Sequence, residues 1–223
     1  MSHPSLLAAG GELGYESNDF YFAGRIGAMG EVTAPVAVAA LVFFAPQRVE
    51  TAWKRSVDIQ PLSEAALLYT RCAARWADTT YGDDVDWRAI ADDADRVIDS
   101  LSLANAPIFA GWLAMPDGDS AKSRAQHRLN ALREHRMAVH AAAIVAAGIC
   151  VADAVRHAAP QHVELFGWPE DFDADPDEVT KCWNDAEAVT NSLVGTSLAV
   201  LGDDLVDFVE RCEQARSRVF ARS

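Results

Sequence analysis

The chain is poor in the features that usually announce a chemistry. Its four cysteines, Cys72, Cys150, Cys182 and Cys212, are far apart and make no CxxC pair, so neither a zinc knuckle nor a redox dithiol is expected. Spaced thiols in a chain of this size read as reduced and cytoplasmic, and Cys150 reads as a small hydrophobe inside an apolar helix. Positive charge is scarce: 19 Lys and Arg stand against 33 Asp and Glu, a formal charge of −14. Duplex binding draws its affinity from phosphate neutralisation, so no nucleic-acid partner is expected. No long hydrophobic run exists. The longest, 36–45, is about half of what a membrane helix needs, and no basic segment with a following apolar stretch marks a signal peptide. Gly24, Gly27 and Gly30 follow no strand and do not spell GxGxxG, which excludes a nucleotide loop. There is no HExxH, HxxxH or ExxH, so no metal centre is expected, and no motif names an organic cofactor.

What is present is apolar periodicity. The 223 residues are half hydrophobic, enough for one large domain or two small ones. A loose arm is expected over 1–18, a helical domain over 19–160 and a C-terminal unit over 161–223. Helical patterns begin near Asp19. One helix is capped by Thr33 and runs to Ala45, with Pro35 in its first turn. Others cover 47–55, a Ser63-capped stretch to about Asp78, 87–101 and 105–115. Asp117-Gly118-Asp119-Ser120 forms a turn that caps a central helix. Beyond His157 the chain turns acidic, with 14 acidic and 5 basic residues from Glu164 onward. Two more helices are expected there, at 177–192 and 203–221, with a short hairpin between them at 193–200. The fold class is therefore all-α: a multi-helix bundle around a central buried helix, ending in a degenerate winged-helix-like part. The last helix could pack internally or across a homodimer axis.

The segment 127–149, HRLNALREHRMAVHAAAIVAAGI, is the most informative. Its second half is apolar on all sides and so should be buried, carrying the charged half toward an interior space. At 100° per residue Arg133, Arg136 and His140 share one arc, while His127, Asn130 and Glu134 share another. The first arc reads as an anion clamp, because guanidinium forks suit carboxylate or phosphate; Arg25 and His127 join the candidate ligand-binding set. Glu134, His135 and His140 are the candidate acid–base groups if there is catalysis. The competing account is a network of buried ion pairs, with Arg133 on Glu31 or Glu64 and Glu134 on Arg25. Cys150 and Ser197 lack the setting of a nucleophile. Tyr21, Phe22, Phe43, Phe44, Trp53, Phe109 and Trp112 are core, some of them the wall of any pocket.

Several blocks together resemble a known family. Tyr21-Phe22-Ala23-Gly24-Arg25 with Gly30 and Val32, Phe43-Phe44-Ala45-Pro46 with Val49 and Trp53, Leu132-Arg133-Glu134-His135-Arg136 with His140, and Gly195-Thr196 are similar to the actinobacterial SalK-type helix-turn-helix family. Met137-Ala138-Val139 stands where that pattern usually has Gly-Asp-Gly. The resemblance covers roughly 20–220 and implies a helix-turn-helix outline in proteins sometimes tied to natural-product clusters. Three functions follow in order. The first is a binding protein for a mostly apolar small molecule with one anionic group. The second is an enzyme of small-molecule metabolism, cofactor-free or metal-assisted, that uses Glu134, His135 or His140. The third is a DNA-binding regulator, disfavoured by the acidic charge.

Overall fold

The computed structural model describes residues 4–16, 18–169 and 174–220, and among them every regular element is helical. The opening segment, expected as a loose arm, instead forms α1 (Pro4–Glu12) from Pro4 on, with Leu6 and Tyr15 buried against the main core. Residues 1–3 and 17 of that segment lie outside the described residues. The next helices are α2 (Asp19–Gly27), α3 (Ala34–Ala40), α4 (Pro46–Ile59) and α5 (Leu62–Thr80). Glycine lets α2 and α5 touch backbone to backbone. A Cβ on Gly24 would sit 2.4 Å from the Tyr69 ring, and one on Gly27 would sit 1.8 Å from the Leu62 carbonyl oxygen.

Two boundaries differ from the sequence pattern for identifiable reasons. Helix α3 stops at Ala40, short of Ala45. The peptide groups beyond it find partners elsewhere: Trp168 Nε1 donates to the Phe43 carbonyl at 2.8 Å, and Ala45 N–H donates to the Phe166 carbonyl at 2.8 Å. Phe43 and Phe44 therefore sit on a loop and face inward. Helix α5 is capped by Glu31 rather than by Ser63: its carboxylate accepts from Leu62 N–H at 3.0 Å and from Ser63 N–H at 2.8 Å.

After α6 (Trp87–Asp99) and α7 (Pro107–Ala114) comes the long central helix α8 (Ala121–Ala146). It begins in a Ser120–Ser123 capping box. Its apolar second half is less enclosed than all-round hydrophobicity predicts. Ala143 and Ile144 are buried, but Val145 is 67% exposed. The helix ends before Gly148, which adopts φ +75°, and this turn leaves Cys150 exposed rather than within an apolar helix.

The chain continues through α9 (Val151–Ala158), a short α10 (Val163–Phe166), α11 (Pro176–Leu198) and α12 (Leu205–Phe220). The expected hairpin at 193–200 is helix. Thr196 and Ser197 hydroxyls bond back to the carbonyls of Ser192 and Leu193, and Gly195 sits in the helix interior. The chain turns only at Gly202, where φ is +56°. The winged-helix detail is thereby replaced by two helices joined at a glycine kink. Helix α11 runs antiparallel to α8: Ile144 clusters with Val179, while Leu129, Leu132 and Leu198 pack against one shared cluster at the other end. Helix α12 covers α6 through Phe208 and Ala215. Among the described residues no single helix is long and apolar enough to cross a membrane.

Candidate functional site

A cavity of about 640 Å³ opens between α2, the 41–44 loop, the start of α7, the middle of α8, α9–α10 and α11. That volume lies within the range of small-molecule pockets. Its wall is mostly hydrocarbon and aromatic: Tyr21, Phe22, Phe43, Phe44, Phe109, Phe166 and Trp183 contribute rings. Phe22, Phe44 and Phe166 pack edge to face at centroid distances of 4.7 Å, which holds one side of the cavity rigid.

The charged wall comes from α8 and α2. Glu134 lies between two arginines. Arg25 grips it with both prongs, Nε to Oε1 at 3.0 Å and Nη2 to Oε2 at 2.7 Å, and Arg133 Nη2 reaches Oε1 at 2.7 Å. Arg25 also donates to the Tyr21 hydroxyl at 3.0 Å. Burial by itself would raise the Glu134 carboxyl; the guanidiniums of Arg25 and Arg133 outweigh it and hold it below the usual carboxylate range. Burial likewise works against charge on Arg25, yet neighbouring Tyr21 and Glu134 keep it more firmly protonated than a free arginine. One helical turn on, Arg136 Nη2 is 3.3 Å from both oxygens of Glu187 on α11.

His140 is buried beside that pair. Its ring stacks on Phe43 at 5.6 Å and meets the edge of Trp183 at 5.0 Å, and Nδ1 lies 3.0 Å from the Thr190 hydroxyl. Burial pushes its affinity for a proton down; Glu187 opposes this and Arg136 adds to it.

The structure therefore brings together Arg25, Arg133, Glu134, Arg136 and His140 of the residues singled out in the sequence. It does not bring His127 or His135 to the cavity. His127 is sealed under Trp112, with Nε2 3.0 Å from the Trp112 carbonyl and 3.6 Å from Asp117. His135 packs its edge against Phe109 at 5.1 Å. Sequence reasoning missed Trp183, Glu187 and Thr190. Their spacing of four and then three residues on one helix was the available signal, but an expected hairpin just downstream drew α11 into a separate unit.

The cations of α8 split into two kinds. Lys122, Arg124 and Arg128, nearer the start of α8, are paired with Asp83, Asp92, Asp95 and Asp117. Arg133 and Arg136 are also paired, but both side chains remain 41% exposed and line the void. Among its arginines and carboxylates the cavity holds three guanidiniums (Arg25, Arg133, Arg136) and two carboxylates (Glu134, Glu187). The surplus is one positive charge, and it belongs to the Arg25–Glu134–Arg133 triad.

A family model described as a helix-turn-helix family matches residues 2–172. The chain belongs to this helix-turn-helix family. The matched stretch contains every cavity element up to α10, so the triad lies inside the family region, whereas α11, with Trp183, Glu187 and Thr190, follows it. No curated protein and no solved structure matches the chain.

Proposed function

We propose that this helix-turn-helix family member binds a small, mostly apolar molecule bearing one anionic group, in the cavity between α2, α8 and α11. The observation that carries the reading is the unbalanced triad: two guanidiniums share one buried carboxylate beside an aromatic-walled void. Two guanidiniums answered by one carboxylate leave a surplus positive charge beside an apolar wall, which favours the approach of an anion, and Arg133, 41% exposed at the void, is the group able to reorient toward a ligand. Of the 132–136 and 140 blocks that resemble SalK-type members, Arg133, Glu134, Arg136 and His140 fall on this same wall, which supports placing the chain in that branch.

The test is thermal shift with aryl carboxylates. Wild type and Arg124→Ala should be stabilised by biphenyl carboxylate, and Arg133→Ala should lose most of the effect. Equal shifts in all three proteins would remove the clamp from the account.

The family description favours a second reading, binding to duplex DNA. The basic island of α8 argues against it, because Lys122, Arg124 and Arg128 already hold carboxylates of this chain. A low-salt gel shift is expected to show no complex; a salt-sensitive shift would reverse the ranking.

A further inference from the structure

We propose that the cavity has a second polar recognition point, His140 Nε2, which accepts a hydrogen bond from a hydroxyl or N–H at the end of the ligand remote from its acidic group. The inference rests on the anion-binding reading above and specifies the ligand further.

The argument begins at Thr190. Its hydroxyl lies 2.8 Å from the Ala186 carbonyl, which can only accept, so the hydroxyl proton points there. The 3.0 Å contact between Thr190 Oγ1 and His140 Nδ1 is then a bond in which Nδ1–H donates. Glu187 Oε1, 3.5 Å from the same nitrogen, favours a proton at that position as well. In the neutral ring this leaves the lone pair on Nε2. Among the described residues no hydrogen bond reaches Nε2, and His140 is one of the residues that line the cavity. Phe43 and Trp183 fix the ring plane from two sides. The acceptor is thus preorganised, and no protein donor answers it.

Helix geometry sets the spacing. Arg133 and His140 are seven residues apart on α8, which at ~1.5 Å per residue is roughly 10 Å along the axis. The chemistry that suits both ends is a flat hydroxy acid: a carboxylate at Arg133, an apolar aromatic body against Phe43 and Phe44, and a phenol or alcohol at His140. A site built to accept a donor discriminates against an analogue that lacks it, because its acceptor is then buried unpaired.

The probes are biphenyl carboxylate and its para-hydroxylated analogue, titrated calorimetrically into the full chain. In wild type the hydroxyl should tighten binding about tenfold or more. In His140→Phe the two probes should bind alike, and in Thr190→Val, which removes the acceptor for Nδ1–H, the hydroxyl preference should shrink. Imidazole ¹⁵N NMR on the unliganded wild type gives a readout independent of ligand and of variant folding: a neutral His140 protonated on Nδ1 is expected. A carboxylate that binds while the hydroxyl adds nothing in wild type, or a His140 protonated on Nε2, overturns this inference alone. Failure of both probes to bind removes the anion-cavity reading with it.

Discussion

Glu134 sits in the interior with guanidiniums on two sides, and its loss would leave Arg25 and Arg133 facing each other without a counter-charge. Removing one partner of a buried ionic network costs about 3–5 kcal/mol, so Glu134→Gln should lower the urea midpoint accordingly. The same carboxyl has a depressed proton affinity in the fold. Its contribution is therefore complete above the ordinary value of 4.5 and is lost as pH falls through the lower folded value. The histidines act in a different window. Burial holds His127, His135 and His140 below their ordinary 6.5. The folded state then binds fewer protons than the unfolded one just below that pH, so stability should fall as pH drops from about 6.5. A Tm–pH series should show this slope reduced in His127→Gln, the most deeply sealed of the three. At this scale the sequence was informative about identity and weaker about partnership. Arg25, Arg133, Glu134, Arg136 and His140 all carry residue types rarely buried without purpose. The ion-pair account caught the Arg25–Glu134 pair, and a void lies beside it. His127 shares a wheel arc with Glu134, but seven residues of rise carry it away from the cavity and under Trp112.

Among the elements, α11 departs most from what its letters imply. Leu193-Val194-Gly195-Thr196-Ser197-Leu198 is β-prone in composition, yet it continues α11 as helix, with Leu198 packed against the cluster formed by α6, α8 and α12. A Cβ on Gly195 would meet nothing within 4 Å. Gly195→Ala should therefore stabilise the protein by about 0.5–1 kcal/mol, as it would in any exposed helix interior; a loss of stability on denaturant unfolding would contradict the helix. The α2–α5 contact predicts the reverse. Gly27→Ala drives a methyl into the Leu62 carbonyl and should cost about 1–3 kcal/mol. The helical character of 19–115 and the Ser120 cap were legible in the sequence. The ends of α3 and α8 were not legible. The first depends on Trp168 and Phe166 arriving from more than a hundred residues away, and the second on a left-handed Gly148 rather than on any loss of helical periodicity.

The whole molecule spends most of its few cations internally, which is how an acidic chain can carry a basic-looking helix without presenting a basic surface. At the apolar cavity the unbalanced charge is one guanidinium's worth. All-α architecture and a pocket beside the middle of α8 could be read from periodicity and charge placement. The α11 wall could not, because its Trp183, Glu187 and Thr190 acquire meaning only once α11 is laid antiparallel on α8. The most direct measurement compares biphenyl carboxylate with biphenyl carboxamide, two ligands of one shape that differ in charge, by calorimetry on the wild-type chain. The account predicts that the carboxylate binds about tenfold or more tightly and that Arg133→Ala erases the difference. Equal affinity for the two in wild type would contradict it.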